Sequence, residues 1–248
     1  MPATKIEIRT DDGVCPAHVL HPDGAGPWPG VLVYMDGIGM RPAIVAIGER
    51  LAAGGYYVLL PDLFYRAGAY VPPDPKKVFT DEATRAEWRK LMATAGGAAN
   101  IMRDTAAYLA HFAGNPSVRQ PRIGATGYCM GGRMALEAAG QYPDRFAGVA
   151  AFHPGGLATD APDSPHLLAP KMKARVYVAG AEDDSSFPVE QKQRLEAALT
   201  AAGVAHRIET YPARHGWVPS DMPVHDAAQA ERHWKALFDL FAATLPRG

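Results

Sequence analysis

Residues 123–133 read Ile-Gly-Ala-Thr-Gly-Tyr-Cys-Met-Gly-Gly-Arg. An apolar run ends at Tyr128, a helix-forming stretch over 131–141 follows, and Cys129 stands between them, flanked by Gly127 and Gly131. A G-x-C-x-G turn joining a strand to a helix carries a specific physical expectation. The residue at its apex occupies a sharp, strained bend, and the glycines are there because a side chain would strike adjacent backbone. The helix N-terminus beneath Cys129 offers unpaired N–H groups and partial positive charge, which favour first a thiolate and then an oxyanion. A plainer reading exists beside this one: a cysteine ending a buried strand is often a small core residue, and clustered glycines often mark close packing.

Outward from that turn, apolar clusters bounded by turn residues predict further strands. They are KIEIRT (5–10), CPAHVLHP (15–22), GVLVYMD (30–36), YYVLLPD (56–62), RIGATGYCM (122–130), GVAAFHP (148–154), ARVYVAGAED (174–183) and HRIETYP (206–212). Helical stretches fall at 43–53, 82–112, 131–141, 189–202 and 227–243. From residue 30 onward strand and helix alternate, and parallel neighbours need a crossover that a helix supplies, so a mostly parallel sheet covered on both faces is expected. The first two strands have no helix between them and are joined by Thr10-Asp11-Asp12-Gly13, which predicts an antiparallel hairpin at one edge of a mixed sheet. Residues 66–78, with Pro72, Pro73 and Pro75, fit neither period and predict a loop over the carboxyl edge, bordering a pocket. No repeat or linker divides the chain, so residues 1–248 are expected to form a single α/β domain.

Composition excludes several classes of function. The 248 residues are 48% hydrophobic and 21% charged, enough for a sizeable core without disulfides or metal. Lys and Arg number 25 against 26 Asp and Glu, a net charge of −1 that gives no field to hold nucleic acid or an anionic membrane. No apolar run reaches the roughly 20 residues of a membrane helix and the start lacks a secretory core, so a cytoplasmic protein is expected. Cys15 and Cys129, the two cysteines, fit no zinc or disulfide framework, so any role for them is expected to be reactive rather than structural.

Order along the chain strengthens the catalytic reading of Cys129. After a nucleophile on such a turn, the architecture supplies an acid beyond a later strand and then a histidine beyond the next. Glu182, Asp183 and Asp184 follow the 174–183 run, and Asp184 is the preferred acid, although some of the three are expected merely to cap a helix or stay solvated. His215, in ETYPARHGW, is the histidine. His153, ending GVAAFHP, also lies on the carboxyl edge where ligands bind, and is read as pocket lining. The oxyanion hole is expected from the Met130 N–H with a second N–H at Gly37 or Ile38, in the loop after GVLVYMD. Asp36 begins that loop and could take the thiol proton or hold a polar substrate group; as a turn carboxylate it would instead bond its own backbone. An unperturbed thiol of pKa about 8.5 is only about 3% ionised at pH 7, so Cys129 needs help from His215, the helix terminus, or both.

Together GVLVYMDGIG, YYVLLPDLFYR, TGYCMGGR, GAEDDSSFP and RHGW resemble the dienelactone hydrolase family, carboxymethylenebutenolidase-like enzymes in the cysteine-dependent branch of the α/β-hydrolase superfamily. The resemblance implies Cys129 as nucleophile, His215 as base, Asp184, four residues before Pro188, as the acid that orients it, and Met130 and Gly37 as oxyanion donors. It implies a small ester or lactone cleaved through a thioester. That chemistry requires no cofactor and no metal, and a monomer or homodimer is expected. Two positions depart from the family pattern. Asp36 stands where well-studied members carry a glutamate that helps activate the thiol, and Pro219 stands where they carry an arginine that grips the substrate carboxylate. Arg85, Arg89 and Arg214 are the candidate replacements. Two other readings use the same turn: an acyltransferase in which another nucleophile replaces water, and a non-catalytic thiol redox or binding domain.

Overall fold

A computed structural model of the chain describes residues 3–95, 97–182 and 184–245. One eight-stranded sheet takes in β1 (Thr4–Thr10), β2 (Gly13–Leu20), β3 (Trp28–Tyr34), β4 (Tyr57–Pro61), β5 (Val118–Tyr128), β6 (Phe146–Phe152), β7 (Arg175–Ala181) and β8 (His206–Tyr211). Its order is β1-β2-β4-β3-β5-β6-β7-β8. The β1–β2 and β2–β4 pairings are antiparallel and the others parallel, giving the expected mixed sheet. This is the α/β-hydrolase architecture. The edge hairpin closes with Thr10 opposite Gly13, and the Thr10 hydroxyl donates to the Gly13 carbonyl at 3.0 Å.

The helices are α1 (Pro42–Ala53), α2 (Glu82–Thr94), α3 (Gly97–Ala113), α4 (Met130–Gln141), α5 (Val189–Ala201) and α6 (Ala227–Thr244). Strands β3, β4, β6 and β7 are buried almost throughout, and β5 is buried from Ile123 to Tyr128, because helices cover both faces; this is why these stretches run apolar instead of alternating. The aromatic side chains of Phe64, Tyr128, Phe187 and Trp217 all lie in that core, and so does Cys15. Burial pushes the Cys15 thiol up to about 12, so it behaves as a small core side chain. That differs from the expectation that either cysteine would be reactive.

The single helix expected over 82–112 is two helices. Gly97 has φ +76, a left-handed conformation that a continuing helix cannot contain. Residues 66–78 form the expected loop: a 3-10 turn at Tyr65–Ala67, then irregular chain to Val78, which packs with Ile38 and Met222. No helix among the described residues is long and apolar enough to cross a membrane.

Register places the site. Tyr34 lies beside Gly127, Tyr128 beside Phe152, Phe152 beside Ala179, and Ala181 beside Tyr211. The loops that leave β3, β5, β6, β7 and β8 therefore open on one carboxyl edge, where residues far apart in sequence meet.

Candidate active site

Cys129 stands between β5 and α4 with φ 53, one of two non-glycine residues in the left-handed region among the described residues; the other is His153, φ 38. Such a conformation costs a non-glycine residue free energy and persists only where its surroundings hold it. Here the Cys129 N–H donates to the Phe152 carbonyl and the Gly132 N–H donates to the Cys129 carbonyl, each at 3.0 Å. The flanking glycines are required by contact. A Cβ on Gly127 would overlap the backbone of Gly131, and one on Gly131 would overlap the carbonyls of Tyr34 and Met35. The strand, the bend and the helix start are thus packed backbone to backbone, which leaves the Cys129 side chain half-buried at the sheet edge.

His215 follows β8 and Asp184 follows β7. Their side chains meet, His215 Nδ1 lying 2.7 Å from Asp184 Oδ2, while Asp184 Oδ1 accepts the Ser186 N–H at 2.9 Å. Burial opposes ionisation of Asp184, but the His215 ring and the Ser186 N–H outweigh it and hold the carboxyl below its usual range. Burial likewise works against an imidazolium at His215; hydrogen bonds to Asp184 and to the Cys129 sulfur prevail and push the ring up to about 10. The imidazole thus pairs with the carboxylate and is also influenced by the sulfur, an arrangement in which a general base is oriented and can be charged in turn. Of the other acid candidates, Glu182 is exposed and Asp183 lies outside the described residues.

The loop after β3 separates the two oxyanion candidates. The Ile38 N–H donates to Asp36 Oδ1 at 3.0 Å, so it is spent on a local turn. Among the described residues the Gly37 N–H takes part in no backbone hydrogen bond outside the regular elements, and Met130 is the first residue of α4, where a helix N–H has no intrahelical partner. Asp36 does more than cap its own turn. Both its oxygens also accept from Arg41, at 2.7 and 2.9 Å. His153 is fully buried and packs edge-to-face with His215, centroids 5.2 Å apart, and with Trp217 at 5.0 Å. Burial first, and the neighbouring His215 second, keep it neutral. It therefore backs the imidazole instead of lining an open pocket. Of the arginines proposed to replace the missing clamp, Arg85 bonds the Phe79 carbonyl and Glu82, Arg89 reaches Glu82, and Arg214 is exposed.

Three contributors had no sequence signal. Trp88 of α2 donates its indole N–H to the Gly37 carbonyl at 2.7 Å, and Arg41 and Asp221 form an ion pair at 2.6 Å. An indole on a polar helix and an arginine before a helix-starting proline read as ordinary surface residues until the chain is folded. Among the described residues no group of three His, Cys, Asp or Glu is placed to hold a metal ion.

The dienelactone hydrolase family pattern matches residues 15–245, and the chain belongs to that family. A Methylorubrum extorquens protein named "Putative carboxymethylenebutenolidase" is 31% identical over 247 residues, covering 96% of this chain and 80% of its own. A Synechocystis protein of the same name is 27% identical, covering 98% and 97%. The solved structure titled "Putative Dienelactone Hydrolase" from Klebsiella pneumoniae superposes with TM-score 0.81 at 24% identity, covering 97% of this chain and 98% of its own, a likeness of fold.

Proposed function

We propose that this chain hydrolyses small esters or lactones by way of a thioester on Cys129. The observation that carries the reading is the His215–Asp184 pair, 2.7 Å apart at the carboxyl edge, with the His215 ring raised further by the sulfur of Cys129, which stands on a strained bend at the start of α4. The sulfur attacks the substrate carbonyl, and its negative charge passes to the oxygen, facing the N–H groups of Met130 and Gly37. The tetrahedral species collapses, the C–O bond breaks, and the His215 imidazolium gives its proton to the departing alkoxide or enolate. Water then attacks the thioester, losing its proton to His215, whose ring Asp184 keeps in the receiving orientation. The second collapse releases the acid and returns the sulfur.

The charges around the site favour an uncharged acyl group. Arg41 is buried between two carboxylates, and Pro219 cannot supply the guanidinium that family resemblance would place there. A substrate carboxylate therefore meets no free buried cation among the residues described above. The test is p-nitrophenyl acetate hydrolysis by wild type and Cys129→Ala, followed by a panel of esters and lactones with and without a carboxylate. Wild type turns over with an acetylated Cys129 visible by mass spectrometry, the variant does not, and carboxylate-free members react faster. Equal nitrophenol release by both proteins would overturn the reading.

A further inference from the structure

The loop carrying Gly37 is not part of the sheet ladder: β3 ends at Tyr34 and α1 starts at Pro42. Side chains hold its shape, and Arg41 is the centre of that support. Its side chain is only 5% exposed. One edge of the guanidinium grips Asp36, Nη1 to Oδ1 and Nη2 to Oδ2. The other grips Asp221, Nε to Oδ2 at 2.6 Å and Nη2 to Oδ1 at 3.1 Å, and Nη1 also reaches the Gly39 carbonyl at 3.2 Å. Asp36 belongs to the oxyanion loop, whereas Asp221 lies in the loop that follows β8 and contains His215. A planar fork matched to two carboxylates fixes their direction as well as their distance, which a lysine ammonium cannot do.

We propose that Arg41 is a positioning residue for the hydrolytic reaction: by tying Asp36 to Asp221 it locks the oxyanion loop to the histidine loop and keeps the Gly37 N–H aimed at the reacting carbonyl. The inference rests on the cysteine hydrolase reading given above. In this arrangement Asp36 acts through Arg41 and through the Ile38 N–H. Both its oxygens are engaged by those donors, so it holds the loop instead of drawing the proton from Cys129. One methylene shorter than glutamate, it keeps its carboxylate close to its own backbone.

Two reactions of Cys129 separate the possibilities. Acylation by p-nitrophenyl acetate develops an oxyanion, whereas alkylation by iodoacetamide needs the thiolate but no oxyanion hole. In Arg41→Lys, burst-phase acylation is expected to fall about 10- to 100-fold, approaching the ~10²- to 10³-fold cost of losing an oxyanion donor outright. The alkylation rate and its pH midpoint stay within about two-fold and a few tenths of a pH unit of wild type. KM for the ester changes far less than kcat. Asp221→Asn, at a carboxylate one-third exposed, should show the same split on a smaller scale and decides the matter if Arg41→Lys does not fold. Unchanged acylation in a folded variant overturns the tie. So does a parallel fall of acylation and alkylation, which would place Asp36 and Arg41 in thiol activation. If wild type is alkylated but never acetylated, the hydrolase reading itself fails and the inference goes with it, a result seen without any Arg41 variant.

Discussion

The Trp88 indole N–H and the Gly37 carbonyl are 2.7 Å apart, so a helix that leaves most of its own surface in solvent reaches over to the oxyanion loop. The same peptide unit, Gly37 to Ile38, has its N–H held by Asp36 Oδ1. One peptide plane is therefore fixed at both of its polar ends, which restricts the neighbouring Gly37 N–H. Met92, one turn on from Trp88, packs so near Gly37 that a Cβ there would press on its sulfur. Trp88→Phe keeps an aromatic ring but removes the donor. A hydrogen bond of this kind is worth about 1 kcal/mol net, so acylation by p-nitrophenyl acetate should slow roughly five-fold while alkylation by iodoacetamide does not change. Stopped-flow measurement of both rates checks this, and equal acylation rates would show that the loop keeps its shape without the indole.

The elbow's glycines make a harsher prediction. Because a methyl on Gly131 would meet the carbonyls of Tyr34 and Met35, Gly131→Ala must move α4 away from β3 or fail to pack. Backbone atoms cannot rotate aside as a side chain can, so the cost should reach or exceed the ~1–3 kcal/mol typical of overpacking. Urea denaturation should show a lowered midpoint and, in whatever folds, slow ester hydrolysis. Gly203→Ala is the contrasting control: no atom lies within 4 Å of its added Cβ, and only its φ of +68 opposes the change.

The pH dependence of stability follows from His215. Its ring is pushed up to about 10 in the folded protein against about 6.5 unfolded, so between those values the folded state holds more protons. The stabilisation is therefore complete below about pH 6.5 and is lost as pH rises through 10. Urea unfolding between pH 6.5 and 10 should show declining stability in wild type and a flatter profile in His215→Gln; identical slopes would contradict the linkage. Acylation removes the sulfur's share of that upward push. The pH midpoint of deacylation is accordingly expected well below 10, which single-turnover measurements on the acetylated protein would read.

Much of this site was legible before folding because its logic is local or ordinal. The bend at Cys129 is marked by glycines that only a close backbone approach demands, and Asp184 and His215 follow their strands in the order that the architecture imposes. The strand positions were legible too, since buried parallel strands are apolar runs between turns. What could not be read was everything created by two loops meeting. Arg41 and Asp221 are 180 positions apart and neither sits in a patterned segment. The choice between Gly37 and Ile38 as donor depends on where one carboxylate oxygen falls. The break between α2 and α3 was missed because glycine is tolerated inside a helical period, and only the left-handed φ at Gly97 makes it a boundary.

Acid should loosen the elbow from behind, through His233. This histidine of α6 is fully buried, its ring edge-on to Phe152 with centroids 4.2 Å apart. Its Nδ1 lies 3.1 Å from the Ala230 carbonyl, which can only accept, so Nδ1 carries the proton and Nε2 accepts from the Tyr128 hydroxyl at 3.0 Å. Both nitrogens are satisfied by the neutral ring. Burial pushes its pKa down to about 3, and the Ala230 carbonyl only partly opposes that. Folded below unfolded means that the unfolded chain binds the extra proton: the contribution is complete above about pH 6.5 and is lost as pH falls toward 3. Tyr128 is the residue before Cys129, so a charged His233 disturbs the strand end on which the nucleophile stands. His233→Phe should be less stable than wild type at pH 7, where it leaves the Tyr128 hydroxyl without its histidine partner, but should lose less stability between pH 6.5 and 4. Urea unfolding of both proteins at pH 7, 5.5 and 4 tests this, and parallel losses would mean that another group takes up the proton.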